Sequence, residues 1–287
     1  MKDSFVHMHV HDTFSFQDGI GHPHEYAKRA AELGQPAIGT TNHGNISNNY
    51  KWFESCKKAG IKPILGCEFY IVENTADIRE REYNHITVLA QNEIGYKNLT
   101  KLVTKAWCEQ FYYKPRITFQ DLFDSQEGLI VLSGCLSSPI MKMIRDGNVE
   151  RAGELLQLFD SKIENFYIEI QPIKFEWGNK VYRDLIKICD ANNSKLVVTN
   201  DCHYVKHEQN KVQELLLCVQ SNDTMDNPKH WKFDQDDFYL KSRKEMEDSL
   251  KECFPGIDFT TALDNTVKIA ESVNFEFKKK EPIKFPM

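Results

Sequence analysis

The 287-residue sequence has no apolar run that approaches the ~20 residues a membrane-spanning helix needs. Its N-terminus lacks the charged-then-apolar layout of a secretory signal peptide. Eight cysteines are scattered along the chain, and no two of them form a C-x-x-C pair. These absences argue against a membrane partner and predict a cytoplasmic protein with reduced thiols, most of them buried as small apolar side chains.

The sequence also lacks an excess of positive charge, since 36 Lys and Arg against 42 Asp and Glu give a net charge of −6. This balance argues against a general basic surface for nucleic acid. It does not exclude an enzyme that acts on nucleic acid, because carboxylates grouped around metal ions would be neutralised locally. There is no fixed-period repeat, and Gly19 and Gly21 alone are too few for a dinucleotide-binding glycine motif.

The stretch Phe5–His11 is the most informative one, because histidine alternates there with apolar residues. A period of two is that of a β-strand, so His7, His9 and His11 are expected to project from one face. A row of neutral imidazoles can hold a divalent metal. An expression tag is the alternative interpretation, but a tag would be a homopolymer without interleaved β-forming residues.

Strand-like and helical segments alternate about seven times along the chain. The predicted strands cover residues 5–11, 36–41, 61–72, 85–90, 128–135, 166–170 and 195–201. The predicted helices cover residues 24–34, 47–59, 93–108, 137–145, 148–163, 175–192, 207–220, 244–253 and 260–273, and the Lys- and Pro-rich end is expected to be extended. Regular alternation predicts an α/β fold with parallel strands, either a barrel or a doubly wound sheet.

Nine side chains with nitrogen, oxygen or sulfur donors lie at or near the ends of predicted strands. They are His9, His11, Asp18, His43, Glu68, His85, Cys135, Asp201 and His203. This placement favours a barrel, because barrels gather their active sites at the carboxyl ends of the strands. Nine donors are too many for one tetrahedral zinc ion. They suit two or three clustered divalent ions (Zn, Mn or Fe), which can clamp both oxygens of a reacting phosphoester.

Each of these donors also has an ordinary structural explanation. His85 could be a hydrogen-bonded core histidine, and Glu68 could pair with a lysine. Cys135 could be an inert buried thiol, and Asp201 could cap a helix. For any single residue the structural explanation is the better one, but all nine together would require a run of coincidences.

Several stretches resemble the motifs of the PHP (polymerase and histidinol phosphatase) family: FVHMHVHDTFSFQDG, TNHGN, GIKPILGCEFY, LSGC and NDCHY. GYKNLTKLV, FYYKPRI and FYLKS resemble the PHP domain at the N-terminus of bacterial replicative polymerase alpha subunits. The resemblance implies a distorted (βα)7 barrel with a three-metal centre and a helical C-terminal extension. It implies one PHP domain over residues 1–287, with the barrel at about 1–240 and the helical segment at about 241–287.

The family's metal ligands fall on the same nine positions when they are carried over residue by residue. We also assign catalysis to four of these ligands, which are His9, His11, Asp201 and His203. Two neighbours are expected to support the ligands from outside: His7, where other members often have Asp, and Asn42, where the family usually has Asp before the ligand histidine. Asn42 accepts hydrogen bonds without bringing a charge, so we expect a weaker or altered site.

The function that the resemblance implies is a metal-dependent phosphoesterase, here a 3′–5′ exonuclease acting on single-stranded DNA 3′ ends in proofreading. Lys114 and Arg116 would contact phosphate beside aromatic side chains, although an ordinary surface loop fits that segment equally well. The implied partners are DNA and a polymerase domain or other replisome subunits. A non-catalytic metal-binding scaffold and a small-molecule phosphomonoesterase are the alternatives, and the polymerase-like stretches count against the latter.

Overall fold

The computed structural model describes residues 4–74 and 81–278. The strands are β1 (Ala37–Thr40), β2 (Lys62–Val72), β3 (Asn84–Ala90), β4 (Phe111–Tyr112), β5 (Lys114–Thr118), β6 (Leu129–Leu132), β7 (Phe166–Ile170) and β8 (Leu196–Val198). The helices are α1 (Pro23–Glu32), α2 (Asn49–Ala59), α3 (Glu93–Cys108), α4 (Phe119–Asp124), α5 (Pro139–Arg145), α6 (Val149–Lys162), α7 (Glu176–Asn192), α8 (Asn210–Ser221), α9 (Arg243–Cys253) and α10 (Thr260–Ser272).

Strand β2 organises the sheet, because three other strands pair with it. β1 runs parallel to its first half and β5 runs parallel to its last residues, whereas β3 pairs with the opposite edge in the antiparallel direction. From β3 the sheet continues through β6, β7 and β8. The curled mixed sheet and its surrounding helices confirm the predicted α/β class.

The prediction of uniformly parallel strands is wrong at β3, which is antiparallel to both β2 and β6. Residues 73–83 separate β2 from β3. A crossover between parallel strands needs about a dozen residues or more and usually contains a helix. The connection is too short for that, so the chain returns in the opposite direction.

The N-terminal segment, predicted as a strand, is not a regular strand but lies extended between two neighbours. On one side the Gly39 N–H donates to the His7 carbonyl, with 2.7 Å between nitrogen and oxygen. On the other side the Cys202 N–H donates to the His9 carbonyl over 3.0 Å. The segment thus connects β1 to the chain that follows β8, and these hydrogen bonds close the ring of strands.

The C-terminal helices share their core with the barrel. Met246 and Leu250 of α9 and Leu263 of α10 belong to the same buried apolar cluster as the strands β2, β3, β6 and β7. These helices confirm the predicted helical extension. Most of the end predicted to be extended, residues 279–287, lies outside the described residues.

Two short elements were not predicted, the β4–β5 hairpin and helix α4. The hairpin turns at Tyr113, whose φ of 59° lies in the left-handed region. The FYYKPRI segment is therefore a hairpin that adds a strand to the end of β2, not a free loop. In the described part of the chain, no helix is both long and apolar enough to cross a membrane.

Candidate metal centre

The structure brings the nine predicted donors together around the buried carboxylate of Glu68, which is 1% exposed. The side-chain atoms near its two oxygens are His9 Nε2 at 3.2 Å, His85 Nδ1 at 3.1 Å, Cys135 Sγ at 3.8 Å, His43 Nδ1 at 2.5 Å and His11 Nε2 at 3.6 Å. Five of the other eight donors thus lie within 4 Å of one carboxylate.

Asp201 and Asp18 connect the remaining donors to this group. Asp201 Oδ1 lies 3.2 Å from His11 Nε2. Asp18 Oδ2 lies 2.8 Å from His43 Nε2 and 3.5 Å from His203 Nε2. Side chains from residue 9 to residue 203 of the sequence therefore meet at one rim of the sheet.

The direction of the strands explains why the donors meet at this rim. Parallel strands present their carboxyl ends on the same side. His43 follows β1, Cys135 follows β6, and Asp201 follows β8. β3 runs the opposite way, so it contributes its second residue, His85, at the start of the strand. The antiparallel strand therefore contributes a donor to the same rim from its amino-terminal end.

His9 and His11 are each held through one ring nitrogen by a neighbouring side chain. His9 Nδ1 lies 2.9 Å from Glu169 Oε2, and His11 Nδ1 lies 2.7 Å from Ser15 Oγ. Such partners fix the tautomer and orientation of a ligand imidazole. The Nε2 atom of each ring is thereby left to face the donor cluster.

Six buried side-chain atoms of this cluster face one another without a well-aligned hydrogen bond among the described residues. They are His9 Nε2, His11 Nε2, His43 Nδ1, Asp18 Oδ1, Glu68 Oε2 and Asp201 Oδ1. Buried polar atoms are normally hydrogen-bonded, so such a concentration calls for an explanation. Imidazole nitrogens and carboxylate oxygens are ligand types for Zn, Mn and Fe. The donor set therefore fits divalent metal ions.

Three groups of ligand atoms within the cluster are compact enough to hold an ion, with all atoms of a group within 4.8 Å of one another. The groups are His9–His11–Asp201, His11–His43–His203 and His43–Glu68–His85. Neighbouring groups share His11 or His43, so the three candidate positions are adjacent.

The carboxylates and imidazoles of the cluster shift one another's pKa values in opposite directions. Burial acts to raise the pKa of Glu68, but the imidazoles of His85, His43 and His9 lower this pKa well below its ordinary value. Burial acts to lower the pKa of His43, but the carboxylates of Glu68 and Asp18 raise it to about 10. Metal ligands must be deprotonated, so protons on the imidazoles occupy positions that a cation would compete for.

Sequence reasoning missed Glu169, which lies in β7 and is 0% exposed. Besides its contact with His9, Glu169 accepts a hydrogen bond from the Thr199 hydroxyl over 2.6 Å and one from the Gly134 N–H over 3.1 Å. A charged residue inside the apolar strand FYIEI was the available signal. Glu68 shows the same pattern in the apolar strand β2.

Asn42 contacts a residue that holds His11, and its amide also pairs with a carboxylate. Asn42 Oδ1 accepts a hydrogen bond from the Ser15 hydroxyl over 2.7 Å, and Ser15 holds His11. Asn42 Nδ2 donates to Asp12 Oδ1 over 2.9 Å. The negative charge therefore lies one residue further from the ligand, on Asp12.

His7 does not join the donor cluster. Its Nε2 lies 2.8 Å from the carbonyl oxygen of Lys241, and its Nδ1 lies 3.3 Å from Cys202 Sγ. His7 and His9 are two residues apart in an extended segment, so they are separated by about 7 Å along the chain. This separation is too large for His7 to contact the ligand candidate His9 directly. Through Cys202, His7 supports the turn that carries Asp201.

A cavity of about 680 Å³ opens onto the donor cluster, and Lys114 lines it together with Asp18, His43 and His85. Lys114 therefore borders the space next to the donor cluster. Arg116 is 2% exposed and is absent from the described cavity wall. Its position in β5, beneath the Tyr112 ring at 5.6 Å, does not suit direct contact with a substrate.

A family model described as the PHP domain matches residues 7–172. The chain belongs to the PHP domain family. The matched range contains seven of the nine donors, and Asp201 and His203 follow it. The sequence resemblance to PHP proteins is thus confirmed.

Among curated proteins, this PHP domain is similar to DNA polymerase III subunit alpha of Treponema pallidum, with 36% identity over 98% of this chain and 24% of the relative. It is also 36% identical to DNA polymerase III subunit alpha of Thermus aquaticus, over 94% of this chain and 22% of the relative. The chain thus spans about a quarter of the length of these relatives.

Among solved structures, an amidohydrolase from Chromobacterium violaceum aligns with a TM-score of 0.45 and 12% identity, over 85% of this chain and 96% of that one.

Proposed function

We propose that this PHP domain is a metal-dependent phosphodiesterase that removes nucleotides from the 3′ end of single-stranded DNA. The observation that carries the proposal is the convergence in one cluster of six buried ligand atoms that lack a well-aligned hydrogen bond. The nine donors would hold two or three divalent ions of Zn, Mn or Fe. When bound, such ions stabilise charge on the attacking and leaving oxygens of a phosphodiester.

The residues of the chain orient the candidate ligand histidines, and the backbone is strained at one residue of the cluster. Glu169 and Ser15 keep the Nε2 atoms of His9 and His11 directed at the cluster. Asp201 has a φ of 49°, and a non-glycine residue in this region costs roughly 1–3 kcal/mol. Strain of this kind is concentrated at functional sites. We assign catalysis to His9, His11, Asp201 and His203, and the strained backbone of Asp201 supports its place among them.

DNA is the proposed substrate because the sequence is similar to DNA polymerase III subunit alpha over nearly the whole chain. Lys114 at the cavity wall would contact a phosphate. We further propose that residues 1–287 act as one PHP domain. A polymerase domain or other replisome subunits would be its partners in the cytoplasm.

The test is hydrolysis of labelled single-stranded DNA with added Mn²⁺ or Zn²⁺. A 3′–5′ exonuclease releases a 3′ label first and a 5′ label last. Activity is expected to disappear with a chelator and in Asp201→Asn. The matched control Asp184→Asn makes the same change at a surface ion pair of α7 and is expected to retain full activity.

Two outcomes of this test would replace the proposal. Tight metal binding without hydrolysis of DNA would assign the domain as a scaffold. Preference for phosphomonoesters over DNA would assign it as a small-molecule phosphatase. Nuclease activity that is undiminished in Asp201→Asn would point to a contaminant.

A further inference from the structure

The cavity above the donor cluster has a wall of unusual composition. Eight of its 17 lining residues are Phe, Tyr or Trp, against 11% of the whole sequence. We propose that this wall is a stacking subsite for the unpaired nucleobases of a single-stranded substrate. The inference rests on the proposed function and adds which residues bind the bases of the substrate.

Six of the eight aromatic side chains of the wall are exposed to solvent, whereas Tyr70 is buried and Phe14 is partly buried. Phe16 is 80% exposed, Trp107 49% and Phe111 48%. Scattered exposed apolar residues are ordinary, but a contiguous patch beside a polar site marks a place where a ligand or partner binds. These rings lie on the same cavity whose floor contains His43 and His85.

Trp107 and Phe111 stack on each other and form an ordered aromatic surface rather than a loose patch. Their ring centres are 5.5 Å apart and their planes differ by 24°. The indole is fixed, because Trp107 Nε1 donates a hydrogen bond of 2.7 Å to the carbonyl of Gly44. Gly44 follows the ligand candidate His43, so this surface is attached directly to the donor cluster.

Cations lie among the rings although the chain as a whole is acidic. Lys114 Nζ lies 5.1 Å from the centre of the Tyr70 ring, and the guanidinium of Arg81 lies 4.1 Å from the centre of the Tyr113 ring. Aromatic faces combined with Lys and Arg are typical of sites that bind single-stranded nucleic acid, in which bases stack and phosphates meet the cations. A purely apolar partner would not use these charges.

The size of the cavity also favours a nucleotide over a bare phosphoryl group. Its volume of about 680 Å³ lies within the range of roughly 300–1,000 Å³ found for pockets that take drug-sized ligands. A phosphate group alone would leave the aromatic wall uncovered. One or two nucleotides would place the bases on the wall and the backbone at the donor cluster.

The experiment compares two probes of equal length with the full chain. One is a fluorescently labelled oligothymidylate with phosphorothioate linkages, which resists hydrolysis, and the other is the same backbone without bases. Anisotropy titrations are expected to show at least tenfold weaker binding of the abasic probe. Trp107→Ala and Phe111→Ala are each expected to weaken binding of the base-containing probe by roughly 5- to 100-fold.

Trp177→Ala is the matched control, because Trp177 is 47% exposed but lies on α7 outside the described cavity wall. It is expected to bind both probes as the unchanged protein does. Thermal melts of all variants establish that they fold. Equal binding of the two probes by the unchanged protein would overturn the subsite.

Hydrolysis of ordinary oligothymidylate, measured separately, distinguishes failure of the subsite from failure of the proposed function. If the protein hydrolyses DNA but binds the two probes equally, the stacking subsite alone is overturned. If it binds the base-containing probe more tightly but does not hydrolyse DNA, the proposed nuclease activity is overturned and the subsite stands. If folded Trp107→Ala binds DNA normally but loses a protein partner, the wall is a protein interface and the inference is wrong.

Discussion

The side-chain amide of Asn42 donates a hydrogen bond to the carboxylate of Asp12, with 2.9 Å between Nδ2 and Oδ1. Both side chains are buried. On its other side Asn42 accepts from Ser15, which holds the Nδ1 atom of His11. Asp12 itself is held by a second amide, that of Asn48, over 2.7 Å. An amide is therefore required at position 42 as long as residue 12 is an acid.

Asn42→Asp is expected to lower the free energy of unfolding. The family pattern alone would instead predict a stronger metal site. The change places two carboxylates against each other in a buried position and removes a donor. We expect a loss of about 1–3 kcal/mol in the free energy of unfolding, measured by denaturant titration. Metal affinity is expected to fall or stay unchanged.

The double variant Asp12→Asn/Asn42→Asp is the control for this prediction. It restores one amide and one acid with their positions exchanged, so most of the lost stability should return. If Asn42→Asp proves more stable than the unchanged chain, or if the double variant is no better than the single one, the pairing has no such role.

Glu169→Gln is expected to reduce metal affinity about 10- to 100-fold, because it removes the charge that orients His9 and raises its basicity. The glutamine can still accept from Thr199, so the fold should survive. Competition with a chelator of known affinity measures the change. Glu208→Gln, at an exposed position, is expected to bind metal normally, and an equal affinity in both variants would count against the role of Glu169.

Gly39→Ala is expected to destabilise the closure of the barrel. A Cβ at this position would lie 2.6 Å from the carbonyl oxygen of Met8, so β1 and the N-terminal segment would have to separate. Overpacking of this kind costs about 1–3 kcal/mol. Thermal melts and faster amide exchange at His11, which bonds to Cys202, would measure the effect.

Gly153→Ala is the matched control, because the nearest atom to its added Cβ would be 3.8 Å away, within helix α6. Replacing glycine inside a helix should stabilise the protein by roughly 0.5–1 kcal/mol. If the two substitutions have the same effect, the close approach at Gly39 does not matter.

Local patterns in the sequence predicted the elements well, because they depend on neighbours along the chain. The period of 3.6 residues predicted α3 at Glu93–Cys108, and the run of β-forming residues predicted β7 at Phe166–Ile170. The ends of these strands then indicated which donors would meet. The direction of β3 could not be predicted from its own residues, since direction depends on the connection and on pairing partners.

Partners that are distant in sequence limited the prediction of the site. The contact of Glu169 with His9 joins residues 160 positions apart, and no local pattern marks such a pair. Asn42 differs from the family pattern, but nothing in the sequence relates it to Asp12, and only their contact shows that the two act together. Residue type was thus enough to select the candidate donors, whereas Glu169 and Asp12, which contact the supporting network, could not be selected in this way.

Chelation is expected to lower the thermal stability of the metal-loaded protein. A ligand present at 100 times its dissociation constant contributes about 2.7 kcal/mol to folding. For a domain of this size that corresponds to a fall in melting temperature on the order of 5 °C or more. Differential scanning fluorimetry with EDTA, followed by added Zn²⁺ or Mn²⁺, should show the fall and its reversal. An unchanged melting temperature would mean that folding does not depend on a cation.

The most direct measurement is the metal content of the full chain, determined by elemental analysis after equilibration with Zn²⁺ or Mn²⁺ and removal of free ions. The account predicts two or three divalent ions per chain. It predicts fewer in His11→Ala, because His11 belongs to two of the three groups of ligand atoms. Less than one ion per chain, or the same content in folded His11→Ala, would contradict it.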